Sequence, residues 1–276
     1  SQIEETSDGG YIICGSESNI TGTLSDISLT KLDANGNTMW SNQYDDSSFD
    51  SGNSVCQAYD GGYIIAGTRI DANYSRDFSV IKTDGNGAII WSKIIGGAGD
   101  ENAGNIIQLP DSGYLITGTT TSFGTRLKIF LTRLNQNGSM MWFKTYDDNV
   151  SLGGCVGSPK VQRINEGGYA IEAYRDSGGV PNTWLLKTND AGMLLWSKMY
   201  SVPLPASMCV ASNGGFAIAF SNQAYLGSDY DLGILKTDLS GNISWCKVYG
   251  DSLDENAKDI RQTSDGGFII SGSKFY

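Results

Sequence analysis

One short pattern, a glycine-rich turn running into an aromatic residue and two further apolar ones, occurs six times. It reads Gly9-Gly10-Tyr11-Ile12-Ile13, Gly61-Gly62-Tyr63-Ile64-Ile65, Ser112-Gly113-Tyr114-Leu115-Ile116, Gly167-Gly168-Tyr169-Ala170-Ile171, Gly214-Gly215-Phe216-Ala217-Ile218 and Gly266-Gly267-Phe268-Ile269-Ile270. Further along each period a basic residue closes a second segment, at Lys31-Leu32-Asp33, Lys82-Thr83-Asp84, Arg133-Leu134-Asn135, Lys187-Thr188-Asn189 and Lys236-Thr237-Asp238. Trp40, Trp91, Trp142, Trp196 and Trp245 then stand four residues after Gly36, Gly87, Gly138, Gly192 and Gly241. Two tight turns per period and no helical periodicity describe four short antiparallel strands, clearest over 106–109, 114–118, 129–134 and 140–146.

A single four-stranded unit cannot bury both of its faces, so such units must stack. The expected fold is all-β, a β-propeller of four-stranded antiparallel blades. Five full blades plus the inner half of a sixth are expected, as repeats over 1–50, 51–101, 102–154, 155–206, 207–255 and 256–276 of a single domain. The count is not a multiple of four, which predicts a missing strand pair supplied from a longer protein. The five tryptophans read as packing residues between blades.

Composition narrows the chemistry. Nineteen basic against thirty acidic residues give a net charge of −11, which would repel a phosphate backbone. No apolar run approaches the length of a membrane span. Histidine is absent, removing the commonest general base and a common zinc ligand. Cys14, Cys56, Cys155, Cys209 and Cys246 show no C-x-x-C spacing and read as small buried hydrophobes.

Residues 77–87 (Asp77-Phe78-Ser79-Val80-Ile81-Lys82-Thr83-Asp84-Gly85-Asn86-Gly87), Trp91-Ser92-Lys93, Gly96-Gly97-Ala98-Gly99-Asp100-Glu101 and Tyr114-Leu115-Ile116-Thr117-Gly118-Thr119 resemble the seven-bladed β-propeller (SBBP) repeat of bacterial and archaeal surface and secreted proteins. The resemblance implies an extracellular or cell-surface location and a binding or scaffolding role, with no catalytic residues to transfer. Ala173 and Phe220 depart from it, standing where Gly15, Gly67, Gly118 and Gly272 stand in other repeats.

Variable loops on a rigid scaffold are where function usually sits. The tight turns fall on one side of each unit and the long loops on the other, so the long-loop side is the expected functional face. It is acidic, with Asp45, Asp46, Asp50, Asp100, Glu101, Asp147, Asp148, Asp251, Asp254 and Glu255 expected between blades, around the mouth of a central channel. Of these, Asp50, Asp100 and Asp254 are candidate ligands for Ca²⁺, which takes several oxygens. Asp33-Ala34-Asn35-Gly36-Asn37 looks like the start of a calcium loop, but Tyr44 occupies the twelfth position and a tight turn needs the same residues. Tyr74, Phe123, Tyr174, Trp184, Tyr225 and Tyr230 are aromatic residues in or beside the within-blade loops, candidates to stack on a glycan or anchor a protein partner.

The leading expectation is therefore a non-enzymatic extracellular propeller, a binding or structural scaffold with a protein or glycan at its loop face. The second is a carbohydrate-active enzyme whose paired carboxylates lie at the channel mouth.

Overall fold

A computed structural model describes every residue except 1, 19–24, 45–48, 71–73, 125, 148–154, 177–180, 224–229, 252 and 276, and none of the described residues is helical. The chain divides into two compact units, Ser1–Asp148 and Asn149–Tyr276.

The first unit holds three repeats of four strands. They are β1 (Gln2–Glu5), β2 (Tyr11–Ser18), β3 (Ser25–Leu32) and β4 (Thr38–Tyr44); β5 (Phe49–Gln57), β6 (Tyr63–Ile70), β7 (Arg76–Thr83) and β8 (Ile89–Ile95); and β9 (Glu101–Gln108), β10 (Tyr114–Thr120), β11 (Lys128–Leu134) and β12 (Met140–Tyr146). The second unit continues with β13 (Cys155–Arg163), β14 (Tyr169–Asp176), β15 (Pro181–Thr188) and β16 (Leu194–Tyr200); β17 (Pro205–Val210), β18 (Phe216–Gln223), β19 (Tyr230–Thr237) and β20 (Ile243–Tyr249); and the pair β21 (Asp254–Gln262) and β22 (Phe268–Phe275). Within each repeat, strands pair antiparallel in chain order, and one parallel bridge between Ser25 and Phe49 links the first two sheets.

The turns explain the glycine pattern. Thr6 N–H donates to Gly10 O and Gly9 N–H to Thr6 O, both at 2.8 Å, and the same closure recurs at Ala58–Gly62, Leu109–Gly113, Ile164–Gly168, Ala211–Gly215 and Thr263–Gly267. The turn between third and fourth strands closes on its own first side chain. Asp33 accepts from the backbone N–H of Asn35 and Asn37, each at 2.8 Å, and from Asn37 Nδ2 at 2.9 Å. These bonds, led by the Asn37 side chain, hold its carboxyl below the usual range. The carboxylate that resembled a calcium ligand is a turn-former.

Burial falls from the inner strands outward. β6 and β10 are buried along most of their length, whereas fourth strands such as β8 are largely exposed. Four of the tryptophans, although on these outer strands, pack across to the following repeat. Trp40 meets Tyr63 edge-on at 5.8 Å, Trp91 meets Tyr114 at 6.0 Å, Trp196 meets Phe216 at 6.1 Å and Trp245 meets Phe268 at 6.2 Å. The repeated aromatic pattern is thus two halves of one contact. The repeated basic residue has an equally local task. Buried Lys31 and Lys82 pair with Asp8 and Asp60 of their own turns at 3.0 and 2.9 Å, and Arg133 pairs with Asp111.

The irregular glycine position has a volume explanation. Ala173 lies directly across the ladder from Trp184, Phe220 from Gly233, and Gly118 from Phe130. A Cβ at Gly233 would come within 2.2 Å of the Phe220 ring, and one at Gly118 within 2.6 Å of Phe130. Each of these three cross-strand pairs holds one large side chain, on either strand. Trp184, 2 % exposed, is the large partner in its pair.

The first strands run longer than 106–109 implied, because bulges between Gly52 and Ser54, Thr117 and Gly118, and Ala257 and Asp259 let pairing continue. As a correction, Asp50, Glu101, Asp254 and Glu255 lie on strands, not in loops.

Candidate functional site

The expected acidic face is largely spent on holding the fold. Glu101 is 2 % exposed and accepts from Thr120 Oγ1 at 2.6 Å, Ser122 Oγ at 2.5 Å and Gly97 N–H at 2.8 Å. Asp100 accepts from Arg76 N–H at 3.1 Å, and Asp254 likewise from Tyr230 N–H at 2.8 Å, so both cap the start of a third strand. Asp147 lies 3.8 Å from Lys128, while Asp251 and Glu255 share Lys274. Asp50 is buried and, by strand register, matches Glu101 and not Asp100. Among the described residues no three His, Cys, Asp or Glu side chains gather to hold a metal ion. Asp45, Asp46 and Asp148 lie outside the described residues.

The aromatic candidates are not brought together. Tyr74 is exposed in the loop before β7 at φ 63°, and Phe123, exposed before β11, leans on Phe143 at 5.3 Å. Tyr174 is partly buried on β14, and Tyr230 partly buried at the start of β19. Trp184 is enclosed with the Arg175 guanidinium 5.7 Å from its ring, which corrects its reading as a ligand-stacking residue. Tyr225 lies outside the described residues.

What the structure assembles instead, within each unit, is a row of polar residues on the first strands. One register position carries Gln2, Ser54 and Asn105 in the first unit and Lys160, Ser207 and Asp259 in the second, across from Cys14, Ala66, Thr117, Glu172, Ala219 and Ser271 on the second strands. Ser54 Oγ donates to Gln2 Oε1 at 2.6 Å and accepts from Asn105 Nδ2 at 3.0 Å. Ser207 Oγ donates to Asp259 Oδ1 at 2.5 Å, and Arg261 holds the other oxygen of Asp259 at 3.2 Å.

Glu172 stands out among the second-strand residues across from this row. Its counterparts are small or neutral, yet here a carboxyl group sits 3 % exposed, opposite the partly buried Lys160. At the equivalent position of the first repeat the Cys14 sulfur lies over Gly52 of the following first strand, so close that a Cβ there would come within 2.3 Å. Burial pushes the Glu172 carboxyl up to about 7, with the Lys160 charge acting in the opposite direction. A carboxyl titrating near neutrality can hold a proton and give it up, as general acid–base chemistry requires. Sequence reasoning passed over Glu172 because it lies inside an apolar strand; aligning the six repeats position by position would have exposed it.

No family model matches the chain, and no curated protein matches it in sequence. Solved structures do. An α-L-arabinanase of Penicillium chrysogenum, complexed with arabinobiose, superposes with a TM-score of 0.65 at 13 % identity, over 98 % of this chain and 87 % of that one. The NanB sialidase of Streptococcus pneumoniae gives 0.63 at 9 % identity, over 99 % of this chain but only 64 % of its own. A protein of unknown function from Dyadobacter fermentans gives 0.62 at 11 % identity, over 99 % and 93 %. These similarities show the fold, which is β-propeller-like. They also correct the expectation of a non-enzymatic scaffold, because the neighbours with a stated activity are enzymes, a sialidase and an arabinanase.

Proposed function

We propose that this chain is a carbohydrate-active enzyme of the glycoside-cleaving type, with its chemistry on the first and second strands of the second unit. The observation that carries the reading is the buried carboxyl of Glu172 opposite Lys160, at a position that is small or neutral in every other repeat. In the proposed step Glu172 donates its proton to the leaving glycosidic oxygen. Asp259, oriented by Ser207 and Arg261, is the proposed second carboxylate, serving as nucleophile or as base for water. Lys160, which favours the ionised form of Glu172, stabilises the carboxylate left when the proton is donated. The proposal includes a propeller of five full blades and half of a sixth, and an extracellular setting where polymeric glycans are met.

The test is sugar release from arabino-oligosaccharides, sialyl-lactose and a panel of aryl glycosides. The expected result is turnover on at least one, lowered about 10²- to 10⁴-fold by Glu172→Gln, the range for loss of a general acid, with an unchanged far-ultraviolet spectrum. Absence of release from every substrate, or full activity in Glu172→Gln, overturns the reading.

A further inference from the structure

On the tight-turn side of the first unit, between its second and third repeats, lies a cleft of about 240 Å³. It is lined by Asp60, Lys82 and Trp91 from one repeat and by Ser112, Gln136 and Asn137 from the next. This is below the roughly 300–1,000 Å³ of drug-sized pockets and suits a single small ring. Trp91 is partly exposed, with Tyr114 edge-on behind it at 6.0 Å, and so offers an apolar surface fixed in place.

Of the lining residues, Ser112 departs from the repeat and Gln136 stands at a position that differs in every repeat. Ser112 has φ 63°, in the left-handed region that non-glycine residues seldom adopt, where Gly9, Gly61, Gly167, Gly214 and Gly266 stand in the other repeats. Around Gly9, Gly61 and Gly266 a Cβ would meet nothing within 4 Å, so this position opens on free space, and in the third repeat a hydroxyl occupies it. Gln136 replaces Gly85 of the second repeat and is exposed. The equivalent place between the first and second repeats, with Gly61 and Gly85, lacks both polar groups. A turn that any glycine would form more easily has been given a side chain, and the same cleft has been given an amide.

We propose that this cleft binds one pyranose ring of a neutral glycan, as a non-catalytic site distinct from that of Glu172. Trp91 takes an apolar C–H face of the ring, while Ser112, Gln136, Asn137 and Asp60 hydrogen-bond its hydroxyls. The sugar is neutral because Lys82 already balances Asp60, with both carboxylate oxygens within 2.9 Å of the ammonium, leaving no net charge to attract an anion.

Saturation-transfer NMR with methyl glycosides of glucose, galactose, mannose and N-acetylglucosamine, and of sialic acid, tests this on the full chain. At least one neutral glycoside binds with Kd of about 1 mM. The double variant S112G/Q136G restores the turns of the second repeat, so it folds, and it weakens binding at least about tenfold. Glu172→Gln binds as the wild type does. The proposal is overturned if no neutral glycoside binds at about 10 mM, if S112G/Q136G binds equally well, or if the sialoside alone binds.

Discussion

Replacing Glu172 by Gln should stabilise the protein in a way that depends on pH. In the folded chain the carboxyl titrates near 7, against an ordinary value of 4.5, because burial disfavours its charged form. Below 4.5 both folded and unfolded chains carry the proton and the group contributes nothing. As pH rises past 4.5 the unfolded chain ionises freely while the folded chain still holds its proton, so stability declines until about pH 7 and then levels off. The difference of 2.5 between 7 and 4.5, at 1.36 kcal/mol per unit, amounts to about 3 kcal/mol. Glutamine has no such titration. Urea unfolding of both proteins at steps of about one unit from pH 4 to pH 8 should show the stability gap widening by about 3 kcal/mol across that window. A gap that stays constant to within about 0.5 kcal/mol refutes the argument, since it would mean that Glu172 ionises as easily inside the fold as outside it.

Trp196→Ala removes the edge-on contact with Phe216, the cover over the Gly241 turn and the nearby Lys198 ammonium at 5.9 Å. Because the ring is only partly buried, the expected loss is about 2–3 kcal/mol, at or below the low end for a buried aromatic. A loss under about 0.5 kcal/mol would rule out an inter-repeat packing role. For the thiols, burial raises Cys14 to about 12 and Cys209 to about 11 and raises Cys56 further, while Cys246 is exposed. Of these four, a thiol reagent at neutral pH should modify Cys246 in the native protein and the others only after unfolding, and rapid native labelling of Cys14 or Cys56 would contradict their placement.

The fold was legible because its turns and inter-repeat contacts use residues that little else can replace. Gly36 and its equivalents have positive φ, and Trp40, Trp91, Trp196 and Trp245 each meet an aromatic ring in the next repeat, so both recur at fixed spacing. The acidic face was misread because a carboxylate that caps a strand, as Asp100 does for Arg76, looks in sequence like one waiting for a ligand. Trp184 was misread for a related reason. Its partner Ala173 lies eleven residues away and only the ladder register shows that the two share one space. Glu172 escaped notice because no local motif surrounds it. Its meaning comes from its register partner Lys160 and from burial, both products of the folded sheet.

The pairs Gly118–Phe130 and Phe220–Gly233 place the same bulk on opposite strands, and between them lies a constraint on how such repeats diverge. A second large side chain cannot be added first, because the Cβ alone would enter the ring already there. Removing the existing ring first leaves a void whose cost is about 3–5 kcal/mol for a buried phenylalanine. Gly15–Ser28 and Gly67–Ser79 show repeats that settle with neither partner large. Exchanging the bulky partner from one strand to the other therefore passes through a state in which neither residue is large, the arrangement that the first two repeats show to be compatible with the fold.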